Sequence, residues 1–171
     1  AQNPRILDLG TGTGAIALAL ASELPASEVV AVDRIDEAVF LAKENAMELG
    51  LENVTIFQSH WFEAIPRQKF DMIVTNPPYV ESNSEWLVKG DVRFEPESAL
   101  IAGEDGLDDI RQIIKQAWDW LTPNGWLLIE HGHQQETQIQ NIFENYHYQN
   151  VTCVRDYSNL PRVSYAQKVV A

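Results

Sequence analysis

Asn76-Pro77-Pro78-Tyr79 stands directly after an apolar run, Phe70-Asp71-Met72-Ile73-Val74-Thr75, that reads as a strand. These four residues can hold a planar NH2 group. An Asn side-chain oxygen and a neighbouring backbone carbonyl can each accept one of its two hydrogens. Two prolines stiffen the backbone that presents them and bring no competing N–H. The Tyr ring offers a face for a flat group to stack on. A planar amide or aromatic-ring nitrogen is a poor nucleophile, because its lone pair is delocalised. Holding both hydrogens biases that lone pair toward an electrophile, so the chemistry that fits is methyl transfer to nitrogen. Asn-Pro also starts ordinary turns, so the tetrapeptide needs support from the rest of the chain.

That support begins at Asp8-Leu9-Gly10-Thr11-Gly12-Thr13-Gly14, which follows a strand pattern and opens a helix pattern. Alternate glycines let a ligand approach the backbone closely. The spacing is Gly-x-Gly-x-Gly, not the dinucleotide Gly-x-Gly-x-x-Gly, which argues against a pyrophosphate. Asp8 either holds an ammonium group of the ligand or caps the turn. Asp33 ends the next strand, where a carboxylate can accept from both hydroxyls of a ribose. The competing use of Asp33, capping the next helix, is one that Asp36 can serve. Trp61, within Ser59-His60-Trp61-Phe62, follows the third strand, where an adenine would lie in such a sheet. It either flanks that base with its ring and backbone N–H or is a core aromatic. Together these features specify S-adenosylmethionine or a similar nucleoside, with the sulfonium methyl beside Asn76. No metal is required, and His131 and His133, flanking Gly132, lack a third ligand.

The elements that must position these residues alternate. Strands are predicted at Arg5–Leu9, Glu28–Val32, Val54–Phe57, Phe70–Thr75, Trp126–Glu130, Val151–Arg155 and Ser164–Val170. Helices are predicted at Ala15–Leu24, Ile35–Leu49, Leu107–Leu121 and Gln134–Tyr146, with Gly50 closing the second and Pro123-Asn124-Gly125 stopping the third. This alternation predicts an α/β fold, a mostly parallel sheet with helices on both faces. The last two strands have no helix between them, so the final strand is predicted antiparallel. The irregular stretch from Asn76 to about Asp105 is too long for a passive loop and reads as a lid or binding surface.

At 171 residues the chain is one domain, able to bury roughly 70% of its unfolded surface. It opens into a strand almost at once after Ala1-Gln2-Asn3-Pro4, which suggests a domain of a longer protein. No apolar run reaches membrane-spanning length. The balance of 12 basic and 25 acidic residues gives a net charge of −13, which repels phosphate backbones and argues against nucleic acid as a partner. The single cysteine, Cys153, forms no internal disulfide, fits a reducing compartment such as the cytoplasm, and reads as buried filler.

Asp8 to Gly14, Asp33, Trp61 and Asn76 to Tyr79 resemble the Rossmann-like, seven-stranded S-adenosylmethionine-dependent methyltransferases. Gly90-Asp91-Val92-Arg93-Phe94-Glu95-Pro96 and Glu130-His131-Gly132-His133-Gln134-Gln135 narrow the resemblance to the bacterial release factor glutamine methyltransferases, the HemK/PrmC family. It runs from Arg5 to about Val163. It implies methylation of the glutamine side-chain amide in the Gly-Gly-Gln motif of class I peptide chain release factors, leaving S-adenosylhomocysteine. It also implies that Gly10, Thr11, Gly12, Thr13 and Gly14 cradle the methionine portion, with Asp8 beside them. Asp33 would take the ribose and Trp61 would flank the adenine. Asn76 and the Pro77 carbonyl would grip the amide beside the cofactor's methyl, with Pro78 stiffening the segment and Tyr79 packing against the substrate. The family's N-terminal helical domain, which helps grip the release factor, has no counterpart in this stretch. His60 stands where relatives carry an acid, His133 replaces a Trp, and Ser164-Tyr165-Ala166-Gln167 departs from a Gly-Arg ending.

The expected protein is a cytoplasmic monomer that acts on release factors and contacts neither nucleic acid nor membrane. Arg93 and Glu95 are assigned a structural role in the long loop. Two other readings remain: a DNA adenine methyltransferase, which shares the tetrapeptide, and an S-adenosylmethionine-binding domain that is inactive without its partner domain.

Overall fold

The computed structural model describes residues 3–77, 107–132, 134–155 and 161–170. Pro78, Tyr79, the segment 90–96 and His133 therefore lie outside the described residues. The strands are β1 (Arg5–Leu9), β2 (Glu28–Asp33), β3 (Val54–Gln58), β4 (Phe70–Thr75), β5 (Leu121–Glu130), β6 (Gln149–Arg155) and β7 (Pro161–Gln167). The helices are α1 (Ala15–Glu23), α2 (Asp36–Leu49), α3 (Asp108–Ala117) and α4 (Glu136–Asn145).

The strands form one sheet in the order β3-β2-β1-β4-β5-β7-β6. Pairing is parallel from β3 through β5, and β7 runs antiparallel to both β5 and β6. Side chains alternate across the sheet because the strand repeat is two residues. Ile6 therefore joins the core under α1 and α2, with Ala17, Leu18, Val39 and Ala42. Leu7 and Leu9 join the larger core under α3 and α4, with Ile110, Ile113, Ile139 and Phe143. The sheet is thus covered on both faces, as the alternation of elements predicted.

Local chemistry sets the element ends. α2 carries Asp36 and Glu37 in its first turn, where they complement the helix dipole. It ends at Gly50, whose φ of 66° suits glycine and whose N–H bonds back to the Ala46 and Met47 carbonyls. α1 starts from Gly14 at φ 85°, with no side-chain cap. A Cβ built on Gly14 would stand 3.1 Å from the Cβ of Ala42. Gly14→Ala combines that contact with a left-handed backbone, and should lower stability by about 1–3 kcal/mol in denaturant unfolding. A variant as stable as the parent would show that the turn relaxes freely.

Several boundaries differ from the sequence expectation, most of all the end of α3 and the start of β5. The helix predicted to reach Leu121 ends at Ala117 and tightens into a 3-10 turn over Trp118–Trp120. There Trp120 stacks on Phe62 at 5.3 Å, and the Lys168 ammonium lies 5.2 Å over Trp118. β5 begins at Leu121, ahead of Pro123-Asn124-Gly125, because that turn stays within the sheet as an irregularity. The Asn124 N–H donates to the Lys168 carbonyl at 2.7 Å, and the Lys168 N–H donates to the Gly125 carbonyl at 2.9 Å. Cys153 is half-buried on β6, not buried filler, and burial pushes its thiol upward, away from the nucleophilic thiolate.

Candidate active site

β1 has β2 on one side and β4 on the other, so the chain reverses direction across the sheet at this point. Open α/β sheets bind ligands at such a switch, beyond the carboxyl ends of the strands. Register shows which residues meet there. Leu9 pairs with Val32 and with Thr75, and Asp33 pairs with Gln58. One step further along three neighbouring strands come Gly10, Asp33 and Asn76. Neighbouring strands lie about 4.8 Å apart, so the glycine turn, the acid and Asn76 share one edge. The Thr75 hydroxyl donates to the Leu9 carbonyl at 2.9 Å, fastening the exit of β4 to that of β1. Asn76 is exposed at this edge, and Pro77 behind it is buried.

The glycine turn is tied along its length. The Gly10 and Thr11 N–H groups donate to the Val32 carbonyl at 2.8 and 2.9 Å, and the Gly14 N–H donates to the Thr11 carbonyl at 2.9 Å. Gly10 and Gly12 have φ of 73° and 58°. A Cβ on Gly12 would meet nothing within 4 Å, so open space lies over the turn where a ligand can approach.

Asp8 is 2% exposed and accepts from the Thr11 hydroxyl at 2.8 Å. Burial pushes its carboxyl up to about 6, the Thr11 bond opposes that rise, and the nearby Asp33 charge adds to it. It therefore does cap the turn. A buried, reluctantly ionised carboxyl is also one that a ligand cation would stabilise.

Asp33 serves two backbone groups. One oxygen accepts from the Gly12 N–H at 2.9 Å and the other from the Ile35 N–H at 3.0 Å. Asp33 thus orders the glycine turn and the short turn leading into α2, whose own N-cap, Ile35, has no side-chain hydrogen bond, so the helix-cap use of Asp33 is not made. An ionised carboxylate has about four acceptor sites, so capacity remains for ribose hydroxyls.

Trp61 is 9% exposed and packs in the larger core, its ring 3.6 Å from where a Gly10 Cβ would stand. It is a core aromatic and a wall of the site at once. Its φ of 52° is uncommon for a bulky residue. The Ser59 hydroxyl donates to its carbonyl at 2.8 Å and supports this conformation. The indole Nε1 is buried and makes no well-formed hydrogen bond among the described residues. The indole lies near the Asp109 carboxylate, whose ionised form it favours. His60 is exposed, and its Nδ1 is 3.5 Å from a Glu63 oxygen.

Asp109, in the first turn of α3, is a residue that sequence reasoning missed. It is half-buried, burial pushes its carboxyl upward, and Arg34, Trp61 and His60 oppose that rise. An acid beginning a helix reads as a dipole partner, and only the fold brings it to the ends of β2 and β3.

His131 is buried at the end of β5. Its Nδ1 is 2.8 Å from the Gly132 carbonyl, which can only accept, so Nε2 accepts from the Ser164 hydroxyl at 2.8 Å. Burial keeps this ring below its ordinary pKa. His131 thus fastens β5 to β7. Among the described residues no three His, Cys, Asp or Glu side chains come together as a metal site.

A glycine turn beside an acid at the end of the neighbouring strand, at the switch of a sheet in the order found here, defines a class. The chain belongs to the methyltransferase domain family, which matches residues 1–168. It is similar to the release factor glutamine methyltransferase of Salmonella typhimurium, at 54% identity over 160 residues covering 94% of this chain and 58% of that protein. The protein of that name from Escherichia coli is 51% identical over 163 residues, covering 95% of this chain and 59% of that protein. The chain thus spans a little over half the length of these relatives. In fold it is similar to a Pyrococcus furiosus methyltransferase, with a TM-score of 0.76 at 17% identity over 98% of this chain and 76% of that one. An Aquifex aeolicus SAM-dependent methyltransferase gives 0.64 at 20% identity, over 97% of this chain and 82% of that one.

Proposed function

We propose that this domain methylates the side-chain amide nitrogen of the glutamine in the Gly-Gly-Gln motif of class I peptide chain release factors, using S-adenosylmethionine. The observation that carries this reading is the register placing Asn76 next to Gly10 at one sheet edge. The similarity to relatives named release factor glutamine methyltransferase supports the substrate.

S-adenosylmethionine supplies an electrophilic methyl on a sulfonium. Gly10 to Gly14 would cradle its methionine portion, Asp8 would face the ammonium, Asp33 would take the ribose and Trp61 would wall the adenine. Asn76 Oδ1 and the Pro77 carbonyl each accept one amide hydrogen. Holding both hydrogens would leave the amide nitrogen's lone pair free to be aimed at the methyl that the cofactor supplies. Methylation of the nitrogen so held would replace the methyl–sulfur bond of the cofactor by the new N–C bond, leaving the electron pair on sulfur, and one amide proton would pass to solvent. Pro78 and Tyr79 belong to the same motif and bear on the amide grip through sequence alone. Positioning and electrostatic fit supply the acceleration.

The same reading places the protein in the cytoplasm as a monomer, where release factors work. No helix among the described residues is long and apolar enough to cross a membrane.

The test offers labelled S-adenosylmethionine with either a class I release factor or adenine-containing duplex DNA. Label in the release factor and none in DNA is the expected result. Label in DNA alone would establish the adenine methyltransferase reading instead.

A further inference from the structure

Asn45 sits in the interior of α2, where asparagine is a poor helix former because its amide competes for backbone partners. Its Nδ2 reaches out of the helix and donates to the Thr13 carbonyl at 2.9 Å. Ala42 lies one turn earlier on the same face. It is the residue whose Cβ would stand 3.1 Å from a Cβ on Gly14. α2 therefore touches the last two residues of the glycine turn by one hydrogen bond and one close contact.

The earlier part of the turn has its own fastenings, to Val32, Asp8 and Asp33. The peptide joining Thr13 to Gly14 is held differently. Its N–H bonds within the turn to the Thr11 carbonyl. Its carbonyl is anchored to the body of the domain by Asn45. A peptide unit is planar, so fixing that carbonyl fixes the plane and limits the torsions of both neighbours. Gly14 is free of a Cβ and would otherwise sample many conformations.

We propose that Asn45 is a positioning residue for cofactor binding, locking the Thr13–Gly14 peptide so that the turn is preformed for the cofactor's amino-acid end. This rests on the reading that the glycine turn cradles that end. Asn45 touches no reacting atom. Its effect is confined to ligands that carry the amino-acid portion, because the ribose and base are held by Asp33 and the β3 side of the site.

Calorimetry with S-adenosylhomocysteine and competition with adenosine, which lacks the amino-acid portion, test this. Asn45→Ala should weaken S-adenosylhomocysteine about 5- to 10-fold, the usual worth of one hydrogen bond, and adenosine by less than about twofold. Asn45→Asp keeps the shape but cannot donate to a carbonyl when ionised, so it should lose at least as much. Equal losses for both ligands would reduce Asn45 to a general structural residue and overturn the proposal. So would unchanged S-adenosylhomocysteine affinity in both variants. Gly12→Val is measured alongside and should weaken S-adenosylhomocysteine more strongly. If it does not, the cradle reading itself fails, an outcome distinct from failure at Asn45 alone.

Discussion

Replacing Asn76 by alanine is expected to cut methyl transfer about a thousandfold while leaving cofactor affinity within about threefold. The split follows from where Asn76 stands. It is exposed at the carboxyl end of β4, while the hydrogen bonds that order the glycine turn run to Val32, Asp33 and Asp8. Removing it leaves those ties intact. On the proposed mechanism, what is lost is one of two acceptors that would hold the amide hydrogens and aim the nitrogen lone pair. Loss of one preorganised polar group commonly costs a hundred- to a thousandfold in turnover. Misorientation of an intrinsically weak nucleophile adds to it. The check is kcat at saturating cofactor, with Kd for S-adenosylhomocysteine measured on the same preparation. A rate equal to the parent's would remove Asn76 from the mechanism.

Asp8 should make cofactor binding depend on pH. Its carboxyl is pushed up to about 6, chiefly by burial. In the free protein at pH 5 it is therefore mostly neutral, and above pH 7 mostly ionised. An ammonium beside it is stabilised only by the ionised form. S-adenosylhomocysteine should bind about tenfold more weakly at pH 5 than at pH 7.5, and Asp8→Asn should flatten the profile at the weak end. The stability of the free protein runs the other way. A carboxyl whose folded pKa is raised contributes stability that is complete below its unfolded value and lost as pH rises through the folded one. The rise from 3.8 to about 6 corresponds to about 3 kcal/mol, withdrawn between about pH 4 and pH 7. Asp8→Asn should therefore gain on the parent in free-protein stability across that window while losing cofactor affinity. A parent and variant with parallel stability profiles would show that Asp8 is not desolvated as the structure implies.

The residues that announce the site in the sequence do so through local chemistry. Glycines with φ above 50° leave a mark because few other residues tolerate that conformation. Asp33 and Asn76 are visible because each ends a clear apolar strand. What stays hidden depends on neighbours remote in sequence. Nothing near Asp33 says that its carboxylate also holds Gly12, nor does Asn45 show that it reaches Thr13 across the α1–α2 connection. Asp109 joins the site only when α3 lays its first turn over the ends of β2 and β3. The end of α3 at Ala117 follows from two tryptophans finding partners in distant segments. The start of β5 was obscured by Pro123-Asn124-Gly125, which punctuates a chain locally but here is bridged by Lys168 from beyond β7. The segment 90–96, which narrowed the family resemblance, falls outside the described residues and bears on the substrate through sequence alone.

The central claim is that a glutamine amide is the methyl acceptor. Incubation of the domain with S-adenosylmethionine and a class I release factor, followed by peptide mass spectrometry across the Gly-Gly-Gln motif, addresses it directly. The expected result is a single methyl on the glutamine nitrogen, absent from the same reaction with Asn76→Ala. An unmodified glutamine, from protein shown by calorimetry to bind the cofactor, would contradict it.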